Sequence, residues 1–175
     1  PADLDALEEL GTYINYNGYG PAIEDLHFDP EELYRRLYAA ESALGFVAES
    51  PDFQRLKEGY LEDMGLAEAL QPMHATDSVA VFMLPNEAWA RRVSGVYSND
   101  LATGNPDRAH AVLTEKANGN YLVSVRAPMS NKQGAAELCM QFPTGGGRTG
   151  AAGINDLPTD SLEDFVGAFG KAYTS

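Results

Sequence analysis

Cysteine is almost missing from this chain of 175 residues, and the single copy, Cys139, excludes any disulfide within the chain. A chain so poor in thiols suits a reducing compartment, and a cytoplasmic location is expected. Cys139 stands in an apolar run, where a small buried hydrophobe is expected rather than a reactive thiol. Histidine is scarce too, and His27, His74 and His110 have no metal-ligand spacing to one another. Long apolar runs are absent: none approaches the roughly 18–20 residues that cross a bilayer, so no membrane partner is expected. Basic residues are few, 12 against 26 acidic ones, for a net charge of −14. Such a chain repels polyanions at long range, which argues against a broad footprint on duplex DNA. Nucleophile elbows, phosphate-binding loops with lysine and dinucleotide fingerprints are missing as well, so no catalytic residue and no metal ligand is assigned.

What is present is unevenly spread. Residues 1–75 hold 16 acidic and 4 basic residues, a balance of −12, while residues 76–175 hold 10 and 8, a balance of −2. Recognition of an anion therefore belongs to the second part. The acidic part reads as helices: a short one over Asp3–Leu10, ended by the glycines and aromatics of "GTYINYNGYGP". Two further starts share one design. Asp29 caps and Pro30 takes the first helical position, with Leu33, Leu37, Tyr34 and Tyr38 as the buried stripe; Ser50 and Pro51 repeat the device. Asp25, His27 and Asp29 alternate, but with Asp29 committed as a cap the stretch reads as a polar linker rather than a metal site.

Beyond Pro72 the period changes. "DSVAVFMLP" is a continuous apolar run, as in a strand buried on both faces. "NEAWARRVSGVYSNDL" has helical spacing, and "HAVLTEK", "ANGN", "YLVSVR" spell a hairpin turning at Asn118-Gly119. "SNKQGAAELCMQF" reads as a helix near residues 132–142 opened by a capping box of Ser130 and Gln133, and "SLEDFVGAFGKAY" as a closing amphipathic helix. The expected fold is α+β: a helical connector over 1–75, then a small mixed-sheet domain over 76–175 with helices packed on it.

Five of the chain's 17 glycines fall in "FPTGGGRTGAAGIN", residues 142–155. Ordering glycine costs the most backbone entropy, so three in a row need either positive φ or a close approach to the main chain. Arg126 ends its strand in the place where ligands meet the end of a layered sheet, and its planar fork suits phosphate. Gly145, Gly146 and Gly147 can aim backbone N–H groups at the same anion, and Arg148 adds a second charge. A helix C-cap followed by a surface turn with two solvated arginines fits these residues equally well.

"VSVRAP" followed by "GAAELCMQFPTGGGRTGAAGIN" resembles the DHHA1 domain, the C-terminal domain of the DHH family of phosphoesterases. The pattern there is a strand ending in Arg, a helix, Gly-Gly-Gly-His, two spacers and Ala-Ala-Gly. Arg126 matches the strand arginine, Gly145, Gly146 and Gly147 the triple glycine, and Ala151, Ala152 and Gly153 the small run. Arg148 stands where the family has histidine, which keeps a charge but removes a near-neutral acid or base. The resemblance implies that these eight residues bind substrate, a phosphate-containing small molecule or a short oligonucleotide. It also implies Mn²⁺ in a catalytic DHH domain whose Asp-rich motifs this chain lacks, so the chain is expected to be a piece of a longer phosphoesterase. A nucleic-acid-binding accessory module, or a structural module forming a homodimer, are the other readings. Without the clustered Asp and His ligands of a two-metal site, the purified chain is expected to leave a dinucleotide and a polyphosphate intact, with or without Mn²⁺. Metal-dependent release of mononucleotide or phosphate would overturn that expectation.

Overall fold

The structure is a computed structural model that describes residues 2–174. It divides into two compact units: residues up to Glu68 with Glu87–Val93, and Ala69–Asn86 with Ser94 onward.

The first unit is helical. Helix α1 (Ala2–Asn17) runs through the glycine and tyrosines expected to end it. Leu10, Tyr13 and Tyr16 sit on one stripe and are buried, whereas Gly11 faces open space. Burial of that stripe outweighs the ~1 kcal/mol that a glycine costs in a helix. Asn17 ends the helix by pairing its amide with both the N–H and the C=O of Phe28, at 3.1 and 2.8 Å. Helix α2 (Pro30–Ala39) begins as expected, with the Asp29 carboxylate accepting from the N–H groups of Glu31 and Glu32. Its stripe is narrower than expected. Leu33 is buried and Leu37 partly so, but Tyr34 and Tyr38 are 64% and 80% exposed and stack on each other at 6.0 Å. Helix α3 (Ala43–Glu49), capped by Ser42, is an element the sequence reading lacked, and α4 (Pro51–Glu68) completes the unit.

Two arginines from the start of α5 (Ala88–Gly104) belong to this unit and meet carboxylates in it. Arg91 makes a two-pronged pair with Asp25 at 2.6 and 2.7 Å, and Arg92 one with Asp63 at 2.7 and 2.9 Å. The Tyr16 hydroxyl donates to Asp63 and lies 2.8 Å from His27 Nε2, while His27 lies against the backbone at Gly59. Burial drives the tyrosine pKa up and the histidine pKa down.

The second unit holds a six-stranded mixed sheet in the order β1-β2-β3-β4-β6-β5. Strands β1 (His74–Ala75) and β2 (Val79–Leu84) are antiparallel; α5 connects β2 to the parallel β3 (Ala109–Glu115). The hairpin from β3 to β4 (Tyr121–Arg126) turns at Asn118-Gly119, with Gly119 at φ +84°. Val79 and Val81 point into a core with Val123, Val125 and Ile154, closed by Phe165 and Phe169 of α7 (Leu162–Tyr173). Each of those phenylalanines is fully buried and stabilises the unit by roughly 1.5–3 kcal/mol. On the opposite face Phe82 meets Tyr97 of α5 edge-on, so β2 is buried on both sides, as its apolar run implies.

Two expectations are corrected here. No capping box opens a long helix at Ser130; α6 is only Ala135–Cys139. Gly134 precedes it at φ +90°, in the left-handed region, and the Ser130 N–H donates to the Pro106 carbonyl instead. The glycine run is a strand rather than a surface turn: β5 (Gly145–Arg148) pairs with β6 (Ala151–Leu157) across the two-residue turn Thr149-Gly150. Thr144 enters it at φ +64°, a rare value for a β-branched residue. Its carbonyl and hydroxyl hold it there by accepting from the N–H groups of Asn155 and Asp156. The Asp156 carboxylate in turn accepts from Lys116, Asn120 and Asn118 of the neighbouring hairpin, which lowers its pKa to about 2.

The packing of β5 explains two of its three glycines. A Cβ on Gly145 would stand 1.8 Å from the Cys139 carbonyl oxygen, and one on Gly147 2.5 Å from the Ala152 Cα, while Gly146 has nothing within 4 Å. Gly145→Ala is therefore expected to cost about 3 kcal/mol or more in urea unfolding, and Gly146→Ala well under 1 kcal/mol. Equal losses would show that the run is not packed in this way.

His110 of β3 is 1% exposed, and its Nδ1 has no hydrogen-bond partner among the described residues. Burial and the nearby Arg108 guanidinium lower its pKa to about 4. Between about pH 6.5 and 4 the unfolded chain then binds a proton that the folded chain refuses. Stability is expected to be full above pH 6.5 and to fall by roughly 3 kcal/mol as the pH drops to 4. His110→Gln should flatten that part of the profile in urea unfolding; an unchanged slope would mean that His110 titrates normally.

Candidate functional site

The sheet register aligns the two arginines. Arg126 of β4 pairs with Ala151 of β6, which pairs with Arg148 of β5. Directly paired residues of antiparallel strands point to the same face, so these three form one row across the sheet. Strand spacing sets the Arg126 and Arg148 backbones roughly 10 Å apart, and the methyl of Ala151 leaves a notch between the long side chains.

This row floors part of a cavity of about 510 Å³. Lys132 and Thr149 bring in further polar groups, and α5 contributes Asn99 and Thr103 from the side. Two backbone bonds shape the rim: Ala127 donates to the Gly150 carbonyl at 3.0 Å, and Ala135 to that of Thr149 at 2.9 Å. They tie the β5–β6 turn to the end of β4 and to the start of α6. Three cationic side chains and, among the described residues, no carboxylate line the cavity. Arg126 is fixed in place: its Nε donates to Asn99 Oδ1 at 2.9 Å, and its Nη1 to Ser124 Oγ at 2.9 Å and the Val125 carbonyl at 3.2 Å.

Of the eight residues singled out from sequence, Arg126, Arg148 and Ala151 meet at this cavity. Gly146 and Gly153 form the next row on the same face with Ser124, a strip of bare backbone beside it. Gly145, Gly147 and Ala152 pair or align with the core-facing residues Ile154 and Val125, and their lack of bulk serves packing within the sheet. The structure adds Lys132 and Asn99. Asn99 and Thr103 are four residues apart, hence on one stripe of α5, a spacing visible in the sequence but silent about the strand it faces. Lys132 lies in a segment read as helix, which hid its position.

Asp25, His27 and Asp29 are spoken for by Arg91, Tyr16 and the cap of α2. Among the described residues no group of three His, Cys, Asp or Glu side chains could hold a metal ion, so they do not fit Mn²⁺. Burial also pushes the Cys139 thiol up to about 11, which keeps it protonated and inert. No helix among the described residues is long and apolar enough to cross a membrane.

No family model matches the chain, and no curated protein matches it by sequence. Solved structures do share its fold. The pGpG-specific phosphodiesterase PggH of Vibrio cholerae superposes with a TM-score of 0.57 at 12% identity, over 87% of this chain and 52% of its own. RecJ of Thermus thermophilus, solved in complex with Mn²⁺, gives 0.58 at 17% identity, over 82% of this chain and 22% of its own. CDC45 of Entamoeba histolytica gives 0.56 at 8% identity, over 93% and 36%. The chain thus spans about half the length of the phosphodiesterase and smaller shares of the other two. At these identities the likeness is one of fold alone.

Proposed function

We propose that the second unit grips the phosphate end of a small phosphate-containing molecule or short oligonucleotide, as the substrate-binding portion of a DHH-family phosphoesterase. One observation carries this reading: in a chain with 12 basic and 26 acidic residues, a cavity of about 510 Å³ is lined by Arg126, Lys132 and Arg148 and by no described carboxylate. A charge pair 4 Å apart near a protein surface is worth about 4 kcal/mol before desolvation, so three cations lining one cavity favour a bound anion. Each planar arginine fork can donate two parallel hydrogen bonds to two oxygens of a tetrahedral phosphate, and Lys132 adds a point charge on a flexible stem. Ala151 leaves room for the phosphate between them. Long-range repulsion from the net charge of −14 disfavours a long polyanion and favours a small partner. With no metal-binding cluster among the described residues, the role of this cavity is to hold and orient the phosphate, while hydrolysis belongs to groups supplied by another part of the protein.

Calorimetric titration with a nucleoside 5′-monophosphate tests the reading. Arg126→Ala should weaken binding by about 1.5–3 kcal/mol, the loss of a hydrogen bond to a charged group. Arg148→His should bind like the parent near pH 6 and lose affinity relative to it as the pH rises through about 6.5, where the imidazole sheds its charge. Equal affinity of Arg126→Ala and the parent, or no binding by either, would overturn the proposal.

A further inference from the structure

We infer that Asn99 is a positioning residue of the anion site: its side-chain oxygen accepts from the Arg126 guanidinium and fixes it without adding a negative charge beside it. The inference rests on the reading of the cavity as a phosphate site. Arginine only donates hydrogen bonds, so the 2.9 Å contact from Nε identifies the Asn99 oxygen as the acceptor. Nη1 is held at the same time by Ser124 Oγ at 2.9 Å and the Val125 carbonyl at 3.2 Å. Bonds at two separate nitrogens fix both the plane of the guanidinium and its rotation. Asn99 stands on α5 one turn before Thr103, whose hydroxyl donates to the Asn99 backbone carbonyl at 3.0 Å.

The identity of the acceptor matters as much as its place. An aspartate at position 99 would hold Arg126 at least as firmly, yet it would neutralise the charge that attracts the phosphate and place a carboxylate on the cavity wall. The uncharged amide orients without neutralising. The next residue of the helix, Asp100, is exposed and does not line the cavity, so α5 turns the amide toward Arg126 and leaves the acid to solvent. Pre-ordering a side chain with many rotamers improves affinity by about two- to tenfold, since the ligand no longer has to freeze it.

The test compares the parent with Asn99→Leu, Asn99→Asp and Arg126→Ala, using inorganic phosphate in calorimetry, the Arg126 Nε–H resonance in NMR and thermal unfolding. Asn99→Leu should weaken phosphate binding by about two- to tenfold and broaden the Arg126 resonance, with the unfolding temperature unchanged, because Asn99 is exposed. Asn99→Asp should keep the resonance sharp and weaken binding more than Asn99→Leu does, by an amount that shrinks as salt is added. Parent-like affinity in Asn99→Leu, or in Asn99→Asp, overturns the positioning role. If Arg126→Ala weakens binding while Asn99→Leu does not, only this inference falls. If Arg126→Ala changes nothing, the phosphate site itself is wrong and the inference falls with it.

Discussion

The second unit depends on one pairing, the antiparallel register of β4 with β6. It sets Arg126 opposite Ala151 and Val125 opposite Ala152, and through β6 it brings Arg148 into the row of Arg126. Side chains alternate faces along a strand, so a slip of one residue would turn Arg126 into the core and Val125 into the cavity. Gly153 enforces the fit: a Cβ there would lie 2.5 Å from the Val123 carbonyl oxygen, where the register is already irregular. The small run Ala151-Ala152-Gly153 is thus first a packing requirement. The notch between the arginines follows from it, because the residue paired with Arg126 has only a methyl group.

Charge is handled differently in the two units. In the first, Arg91 and Arg92 are matched by Asp25 and Asp63, and the Asp63 side chain is only 4% exposed. Removing one member of such a pair leaves a buried charge uncompensated, at a cost of about 3–5 kcal/mol. Those arginines serve structure. In the second unit the contacts of Arg126 include an amide oxygen, a hydroxyl and a backbone carbonyl, and it lines a cavity with Lys132 and Arg148. The same residue type therefore serves as a structural tie in one place and as part of a positive wall in another. What decides is the partner that the fold brings to it.

Elements whose signals are local were legible in the sequence. The inner strand Val79–Leu84 and the hairpin at Asn118-Gly119 follow from an apolar run and a turn dipeptide, and the cap at Asp29 from a residue preceding proline. Misread elements were those decided by distant contacts. Helix α1 continues to Asn17 because Tyr13 and Tyr16 are buried by other helices, which no turn signal within "GTYINYN" reveals. Tyr34 and Tyr38 lie outside a stripe only as wide as Leu33 and Leu37, so pattern alone overstated the buried face. At the site, Arg126 and Arg148 stood out as cations, one at a strand end and one beside a glycine run, whereas Lys132 and Asn99 reach the cavity through tertiary placement.

The glycine run is the sharpest case, because two explanations compete for the same residues. If Gly145, Gly146 and Gly147 all existed to bare their N–H groups to an anion, a Cβ at each would meet open space. Only Gly146 does; Gly145 is closed off by the end of α6 and Gly147 by β6. Most of the run therefore lets an edge strand lie against its own helix and its own neighbour, and this packing carries Arg148 to its place beside Ala151. Gly146, aligned with Gly153 and Ser124 on the face that bears Arg126, adds a strip of bare backbone one row from the cavity, whose own lining includes Gly150. An anion held there would meet arginine forks on one side and an unobstructed strip of main chain on the other, and the clashes at Gly145 and Gly147 keep that strip from shifting.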